Sequence, residues 1–154
     1  MESLHPRVMV IWLLQGFIFS LILAGVAFGI DQFALKRGAW WVPAVTFGVL
    51  FGLVIIHTVL RYRIWRYEIR GDELYLERGV ITRVKTVVPF VRIQHVDSRR
   101  GPIERMLTLA TTVVYTAGSR GADVLVPGLT PTRSEALQDE LKRLAIESEG
   151  EDAV

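Results

Sequence analysis

The chain has 154 residues, a formal net charge of +2, a mean hydropathy of +0.34 and no cysteine. Its length allows one ordinary domain with a small appendage, and the lack of cysteine excludes disulfides and thiolate metal sites. The charge is uneven, because residues 61–120 carry 12 Lys and Arg against 6 Asp and Glu, whereas residues 121–154 carry 3 against 8.

Two uncharged apolar runs fill most of the first sixty residues. Val8 to Ile30 gives 23 residues, and Trp40 to Leu60 gives 21, without Asp, Glu, Lys or Arg. As a helix at roughly 1.5 Å per residue, the shorter run reaches about 31 Å, which matches a hydrocarbon core of about 30 Å. A signal peptide is the competing interpretation of the first run, but its apolar region would be about 7–15 residues long. The sequence therefore predicts two transmembrane helices, residues 8–30 and 40–60.

The short connector, residues 31–39, predicts that these helices form an antiparallel hairpin. Lys36 and Arg37 weigh against an external connector, but Arg7 and the arginines after Leu60 outweigh them, because Lys and Arg favour the cytoplasmic side. We therefore expect a multi-pass protein of the cytoplasmic membrane with both termini in the cytoplasm. Residues 1–7 are assigned to a cytoplasmic amino terminus and residues 31–39 to an external loop.

Small residues predict where helices approach each other closely. One pair of glycines in each run has the small-xxx-small spacing, but the two pairs lie at different depths in an antiparallel hairpin. We expect Ser20 and Ala24 to pack against the glycine pair of the second run. The glycine pair of the first run then remains available for a partner helix. The residues of this prediction are Ser20, Ala24, Gly25 and Gly29 in the first run, and Gly48 and Gly52 in the second. Since neither run contains a charge, the hairpin is an anchor and not an ion path.

From Trp65 onward the apolar period changes to two, which is typical of half-buried strands. A β-hairpin is predicted first, with Gly71-Asp72 at its turn. The predicted strands are Trp65–Arg70, Glu73–Arg78, Val80–Val88, Val91–Asp97, Leu109–Ala117 and Ala122–Pro127, with a helical turn at Ile103–Leu107 and a tight turn at Gly118–Gly121. The count is six or seven short strands.

One amphipathic helix follows the strands. Thr132 and Glu135 have the spacing of a capping box, and Leu137 and Leu141 begin an apolar stripe that is expected to cover an end or face of the sheet. Residues 148–154 are acidic and lack apolar periodicity, so they are predicted to form a disordered tail.

Three motifs lie between the fourth strand and the tight turn. They are Val88-Pro-Phe-Val-Arg-Ile-Gln-His-Val-Asp97, Gly101-Pro-Ile-Glu-Arg-Met-Leu107, and Leu109-Ala-Thr-Thr112 with Thr116-Ala-Gly118. Together with the helical anchor, this order resembles the bacterial pleckstrin-homology (YdbS-like) membrane proteins over the whole chain. The signature residues are Pro89, Arg92, Ile93, Gln94, His95, Val96, Asp97, Gly101, Pro102, Arg105, Leu109, Ala110, Thr111, Ala117 and Gly118.

The resemblance implies a fold and a location more than an activity. It implies an α+β, mainly β, pleckstrin-homology-like domain at residues 61–147, built as a bent sandwich or partly open barrel of about seven strands with a carboxy-terminal capping helix. Thr108 departs from the family pattern, which has Gly at this position. If that Gly serves a positive φ or a close backbone approach, Thr108 is strained or the turn is rebuilt.

No catalytic or metal-binding motif is found in the sequence. It contains no phosphate-binding Gly loop, dinucleotide fingerprint, HExxH or GxSxG. By alternation His95 shares a face with Val91 and Ile93, so we expect it inward or at the edge of the core, held by a hydrogen bond. We expect Asp97 to pair with Arg92, Arg99 or Arg100. The sequence therefore predicts a non-enzymatic protein without cofactor or metal, and the lack of a recognition helix argues against nucleic acid.

Two function classes remain open. The first is a membrane-anchored interaction module that binds another membrane protein, for which a paralogue with the same domain is a candidate. The alternative is anionic-lipid or envelope-stress sensing at the bilayer through juxtamembrane arginines. The loop Gly71-Asp72-Glu73 is not expected to bind lipid, because it is acidic here, whereas the corresponding loop is basic in lipid-binding eukaryotic pleckstrin-homology domains. The candidate membrane-interface residues are Arg61, Arg63, Trp65, Arg66, Arg99, Arg100 and Arg105.

Overall fold

The computed structural model describes residues 1–36, 38–117 and 124–151. They form two compact units. The helical unit is Met9–Leu60, and the β-unit combines Met1–Val8 with the chain from Arg61 onward.

The helical unit contains two long apolar helices. Helix α1, Val8–Gly29, continues into a π-helical turn at Ile30–Leu35, and helix α2 spans Trp41–Ile64. Both are long and apolar enough to cross a membrane, and their bounds agree with the predicted runs to within a few residues. In the connector, the Asp31 carboxylate accepts a hydrogen bond from the Ala39 N–H at 2.8 Å.

The predicted packing of the glycine pair in α2 is wrong. Ser20 and Ala24 are buried, as a close helix contact requires. A Cβ atom added to Gly48 or Gly52, however, would have no neighbour within 4 Å, so these glycines do not pack against α1. Gly25 and Gly29 are equally open at this distance.

A different face of α2, which carries aromatic side chains, forms the contact with α1. The Phe17 ring contacts the Phe47 and Phe51 rings edge-on, with centroids 5.4 and 5.6 Å apart. Gly48 and Gly52 each follow one of these phenylalanines, so they lie about 100° around the helix from the contact face. The close approach occurs at Gly16, where an added Cβ would lie 2.2 Å from Val54 Cγ1.

Within the described residues, the β-unit contains seven strands in two antiparallel sheets. The strands are β1 Glu2–Ser3, β2 Arg66–Arg70, β3 Glu73–Arg78, β4 Val84–Pro89, β5 Ile93–Arg99, β6 Ala110–Thr116 and β7 Val124–Leu129. The first sheet has the order β1-β2-β3-β4 and the second the order β5-β6-β7. Helix α3, Pro102–Met106, joins β5 to β6, and helix α4, Pro131–Glu151, follows β7. This arrangement confirms the predicted fold class.

Local backbone geometry shifts two predicted strand starts. Gly79 has φ +99°, so the chain turns after β3 and β4 begins at Val84 instead of Val80. A 3₁₀ turn at Phe90–Arg92 delays β5 to Ile93. The predicted turn at 118–121 and the first two residues of the predicted last strand lie outside the described residues.

The first residues of the chain belong to the β-unit, so residues 1–7, predicted as a cytoplasmic amino terminus, are part of the folded domain. Glu2 and Ser3 pair with Tyr67 and Arg66 as strand β1. The side chain of Leu4 is buried, and its carbonyl accepts a hydrogen bond from the Tyr62 hydroxyl at 3.1 Å. Pairing with β2, distant in sequence, stabilises this short strand.

Helix α4 begins two residues earlier and ends later than predicted. The Arg133 N–H lies 3.3 Å from Thr130 Oγ1, so Thr130, and not Thr132, caps the helix, and Pro131 occupies the favoured first helical position. The helix continues to Glu151, so the prediction of a disordered tail from residue 148 is wrong for residues 148–151. An established helix extends without a new nucleus, so these residues need no apolar stripe.

The core of the β-unit lies between the sheets and α4. Its largest fully buried side chains include Tyr67, Phe90, Leu74, Leu76, Leu109, Val113, Val126, Leu137 and Leu141. A buried hydroxyl cluster attaches α4 to the second sheet, with Ser134 Oγ 2.7 Å from Ser98 Oγ and 2.8 Å from Thr112 Oγ1. This attachment fixes the first turn of α4 against β5 and β6.

Candidate functional site

A groove of about 260 Å³ lies between strand β5 and helix α4. Ile93 and Val96 are buried, whereas Gln94, Lys142 and Ile146 are exposed. The groove therefore combines apolar and polar surfaces. Its lining residues are Ile93, Gln94, His95, Val96, Gln138, Lys142, Ala145 and Ile146.

Strand β5 is an edge strand of its sheet. Among the strands that the structure describes, it pairs only with β6. On the α4 side, Gln138 Nε2 donates a hydrogen bond to the Val96 carbonyl at 2.8 Å. An edge strand presents main-chain donors and acceptors that another strand can pair with.

A register shift in β5 changes the position of His95. The shift lies between Ile93 and His95, and both Gln94 and His95 are exposed. The prediction that His95 shares the inner face with Ile93 is therefore wrong, because the bulge interrupts the two-residue alternation. The His95 side chain is 67% exposed.

His95 takes part in a surface network on β5 and β6. Its Nε2 lies 2.7 Å from Asp97 Oδ1, and the Arg99 guanidinium lies 3.7 Å from Asp97, the arginine pairing predicted for this carboxylate. Arg99 also donates to the Tyr115 hydroxyl, whose ring lies 5.8 Å from the His95 ring. These contacts join the polar side chains of β5 and β6 in a cross-strand network. The network positions His95 beside the groove.

The signature residues divide between the core and the surface. Ile93, Val96, Leu109 and Ala110 are buried. The exposed members are Arg92, Gln94, His95, Pro102, Arg105 and Ala117, whereas Pro89, Asp97, Gly101 and Thr111 are half-buried, and Gly118 lies outside the described residues. The motifs thus specify packing and also supply part of the groove rim.

One end of the β-unit, which we call the connection end, holds residues 4–8 and 61–65, where the chain leaves for the helical unit and returns from it. In the first sheet this end contains the Arg66–Glu77 pair. In the second sheet the His5 N–H donates to the Gly128 carbonyl at 2.8 Å, next to the Ala110–Leu129 pair. One end of each sheet therefore lies at the connection end of the β-unit.

The predicted membrane-interface arginines lie at the connection end. Arg63 and Arg66 are exposed there, and Arg61 is half-buried. Arg100 donates to the Leu109 carbonyl at 3.2 Å beside β6, and Arg105 is exposed on α3. Arg99, on β5, pairs with Thr111 near the same end.

Trp65 and the β2–β3 turn do not contribute to this basic surface. Trp65 is 3% exposed, and its ring packs 6.5 Å from the Tyr67 ring, so its prediction as an interface residue is wrong. The turn at Gly71-Asp72 lies at the other end of the first sheet, where the Phe90 N–H donates to the Asp72 carbonyl at 2.9 Å. An acidic turn at that end does not favour phosphate binding.

A cluster of three polar side chains fixes β1 against β2 and α4. Glu2 Oε2 accepts hydrogen bonds from the Tyr67 hydroxyl at 2.6 Å and from Arg133 Nε at 2.9 Å. Burial, with the Glu2 hydrogen bond, raises the pKa of Tyr67 to about 12. Burial acts to raise the pKa of Glu2, but the hydrogen bonds from Tyr67 and Arg133 outweigh it and lower that pKa.

Sequence reasoning missed the part of the groove that α4 contributes. Gln138, Lys142 and Ile146 become neighbours of β5 only in the folded unit. The available signal was Ile146, an apolar residue outside the buried stripe of Leu137 and Leu141. Within the described residues, no group of three or more His, Cys, Asp and Glu is positioned to hold a metal ion.

The two apolar helices, the seven-stranded β-unit and its closing helix define a membrane-anchored pleckstrin-homology-like protein. The family model described as "Bacterial PH domain" matches residues 10–145. The chain therefore belongs to the bacterial PH domain family, as the sequence motifs predicted.

Two similar proteins come from Bacillus subtilis (strain 168). The chain is 27% identical to the UPF0699 transmembrane protein YdbS over 149 residues, which cover 94% of this chain and 92% of that protein. It is 24% identical to the UPF0699 transmembrane protein YdbT over 97 residues, which cover 62% of this chain and 20% of that protein. No solved structure matches. The transmembrane relatives and the two apolar helices identify the chain as a membrane protein.

Proposed function

We propose that this protein is a non-catalytic docking module, which holds its β-unit at the inner face of the cytoplasmic membrane. Its groove between β5 and α4 accepts an extended segment of another membrane protein. The groove is the observation that carries this function, because an edge strand beside a helix offers main-chain pairing together with side-chain pockets. Anchoring both proteins in one membrane raises their effective concentration, so a modest contact is sufficient.

The chemistry of the groove defines the segment that it fits. Ile93 and Val96 form an apolar floor, and Lys142 supplies a cation at the rim. A complementary segment carries an apolar side chain next to Asp or Glu. A second protein with this domain is a suitable source of the segment. YdbT is an example of such a longer protein, because the region similar to this chain covers only 20% of it.

The chain connectivity supports a multi-pass topology with both termini in the cytoplasm. Residues 1–8 and the chain from Arg61 onward belong to one folded unit, so they share a side of the membrane. The arginines after Leu60 favour the cytoplasmic side. An impermeant maleimide should label Lys36→Cys in intact cells, and Arg83→Cys only after lysis. Labelling of Arg83→Cys in intact cells would reverse this topology.

The docking function is tested with the full chain in living cells. A photoactivatable residue at Ile146 should crosslink to a membrane protein, and Lys142→Glu should reduce this crosslink by about tenfold, corresponding to roughly 1.4 kcal/mol. Arg143→Glu is the matched control, because Arg143 faces Glu147 at 3.9 Å and does not line the groove. Equal loss in both variants, or no crosslink that depends on Lys142, would contradict docking in this groove.

The lipid-sensing alternative is favoured by the grouping of Arg63, Arg66 and Arg105 at the connection end. It predicts that anionic lipid changes hydrogen exchange of β5 and α4 in full-length protein reconstituted in nanodiscs. Identical exchange in neutral and anionic nanodiscs would remove this alternative and leave the docking function intact.

A further inference from the structure

The loop between β3 and β4 carries the most exposed large apolar side chain among the described residues. Ile81 is 95% exposed, and it lies in the turn between Arg78 and Val84. Isolated exposed apolar residues are common, so exposure alone does not define a site. The position, rigidity and charge of this loop supply the further evidence.

The loop is a tight turn that holds Ile81 away from the core. Gly79 has φ +99°, and a Cβ added there would lie 2.0 Å from the Thr82 carbonyl oxygen. Only glycine fits this backbone path without rearrangement. The exposure of Ile81 therefore follows from the fold of the turn.

The strand register locates this loop at the connection end. Arg66 pairs with Glu77, and Arg78 pairs with Val84, so the loop extends past the start of β2, at the end of the sheet that residues 61–65 join. Ile81 is three residues beyond Arg78 and reaches at most about 10 Å past that pair.

The residues around Ile81 are basic. Arg78, Arg83 and Lys85 carry three positive charges, and Glu77, 4.0 Å from Arg83, carries one negative charge. Basic residues next to an apolar side chain are typical of segments that enter the interface of an anionic membrane. Each Lys or Arg near such a surface contributes about 1 kcal/mol.

Helix α3 presents a second apolar side chain at the same end. Met106 is 85% exposed, and the exposed Arg105 precedes it. The next residue, Leu107, accepts a hydrogen bond at its carbonyl from Arg7 Nη1 at 3.3 Å, immediately before α1 begins. The connection between two strands of each sheet therefore carries an exposed apolar residue with neighbouring arginines at the connection end.

We propose that Ile81 and Met106 insert into the headgroup region of an anionic lipid leaflet, and that this contact orients the β-unit on the membrane. The anionic leaflet complements the basic residues of both protrusions. The transmembrane helices make the contact intramolecular, so two apolar side chains are sufficient. The Gly71-Asp72 turn, at the opposite end of the first sheet, then points away from the lipid.

The experiment uses the absence of cysteine from the chain. Single variants Ile81→Cys and Val91→Cys of the full-length protein are labelled with the environment-sensitive fluorophore NBD and placed in nanodiscs. Val91 is the matched control, because it is also exposed but lies beside Phe90 at the opposite end. The nanodiscs contain phosphatidylcholine alone or with phosphatidylglycerol, and a nitroxide-labelled lipid reports contact with the leaflet.

The label at position 81 should shift to shorter wavelength and lose emission to the nitroxide lipid in the anionic nanodiscs, whereas the label at 91 should do neither. Water-like emission at position 81 in anionic nanodiscs would overturn the proposal. Equal quenching in neutral nanodiscs would overturn the assignment to an anionic leaflet. A wavelength shift without quenching would indicate that a second copy of the chain, and not lipid, covers the loop. Both leaflets have the same composition in nanodiscs, so these outcomes do not depend on the proposed topology.

Discussion

The two units place the same kinds of side chain in opposite positions. Leu53 in helix α2 is 58% exposed, whereas Leu74 in strand β3 is 0% exposed. Among the described residues of the helical unit, the buried ones are Trp12, Ser20, Ala24, Asp31 and Thr58, four of which are small or polar. Lipid tails are as apolar as leucine, so the helices need only a narrow contact face, whereas the β-unit must bury its own apolar surface from water.

The largest expected difference between the units comes from a matched pair of leucine substitutions. Leu74→Ala should lower the free energy of unfolding by about 3 kcal/mol, because it leaves a cavity in the core. Leu53→Ala should change stability by less than about 0.5 kcal/mol, because this side chain meets lipid in both states. Denaturant unfolding of the full chain in micelles, followed by tryptophan fluorescence, measures both. Equal losses would contradict the division between the units.

High pH should destabilise the β-unit through Tyr67. The pKa of its hydroxyl rises from 10.0 to about 12 in the folded protein. The neutral form is therefore favoured by folding: its contribution is fully present below pH 10 and is lost as the pH rises to about 12. Two pKa units correspond to about 2.7 kcal/mol.

The measurement for Tyr67 compares the wild type with Tyr67→Phe between pH 9 and pH 12. The variant should lose the part of the pH dependence that comes from the Tyr67 hydroxyl. The helical signal of the helical unit should stay constant over the same range. An unchanged slope in Tyr67→Phe would show that other groups dominate the alkaline loss.

Gly16 tests the narrow contact between the helices. Gly16→Val should weaken the helix pair by about 2 kcal/mol, since an added Cβ would lie 2.2 Å from Val54 Cγ1. Gly48→Val is the control, because a Cβ there has no neighbour within 4 Å. Spin labels at Leu14 and Ile56 report the separation of the helices by electron paramagnetic resonance. The distance should increase only in Gly16→Val, and a similar increase in the control would mean that the glycine pair of α2 forms the contact after all.

Thr108 tests local backbone strain in the β-unit. Its φ is +55°, so the strain expected at this departure from the family pattern is present. Thr108→Gly should stabilise the protein by about 0.5–1 kcal/mol, since relief of the left-handed conformation exceeds the added entropy of the unfolded chain. Thr108→Ala keeps the positive φ and should give a smaller gain. Thermal unfolding of both variants in the same micelles distinguishes strain from the loss of the threonine side chain.

The elements that the sequence predicted well have strong local signals. The two charge-free runs define α1 and α2 to within a few residues, and the alternation from Trp65 to Leu76 predicts the first β-hairpin. The pattern from Val88 to Gly118 also identified the family and hence the seven-stranded fold. In these cases the information lies within neighbouring residues.

The features that the sequence did not predict depend on distant partners. Strand β1 has two residues and exists because Glu2 pairs with Tyr67, 65 positions later in the chain. The exposure of His95 follows from a bulge that simple alternation does not include. Thr130 was the exception, because Pro131 after it was a readable signal for the start of α4. The groove required α4 to be placed on β5, which periodicity alone does not provide.

Strand β1 has a consequence for the order of assembly. The ribosome makes Glu2 and Ser3 before helices α1 and α2, yet their pairing partner in β2 is made only after both helices. In the topology proposed above, the amino-terminal residues remain unpaired on one side of the bilayer until the hairpin has been inserted, and the β-unit closes last. In that topology, completion of the fold reports that both helices have entered the membrane in the correct direction.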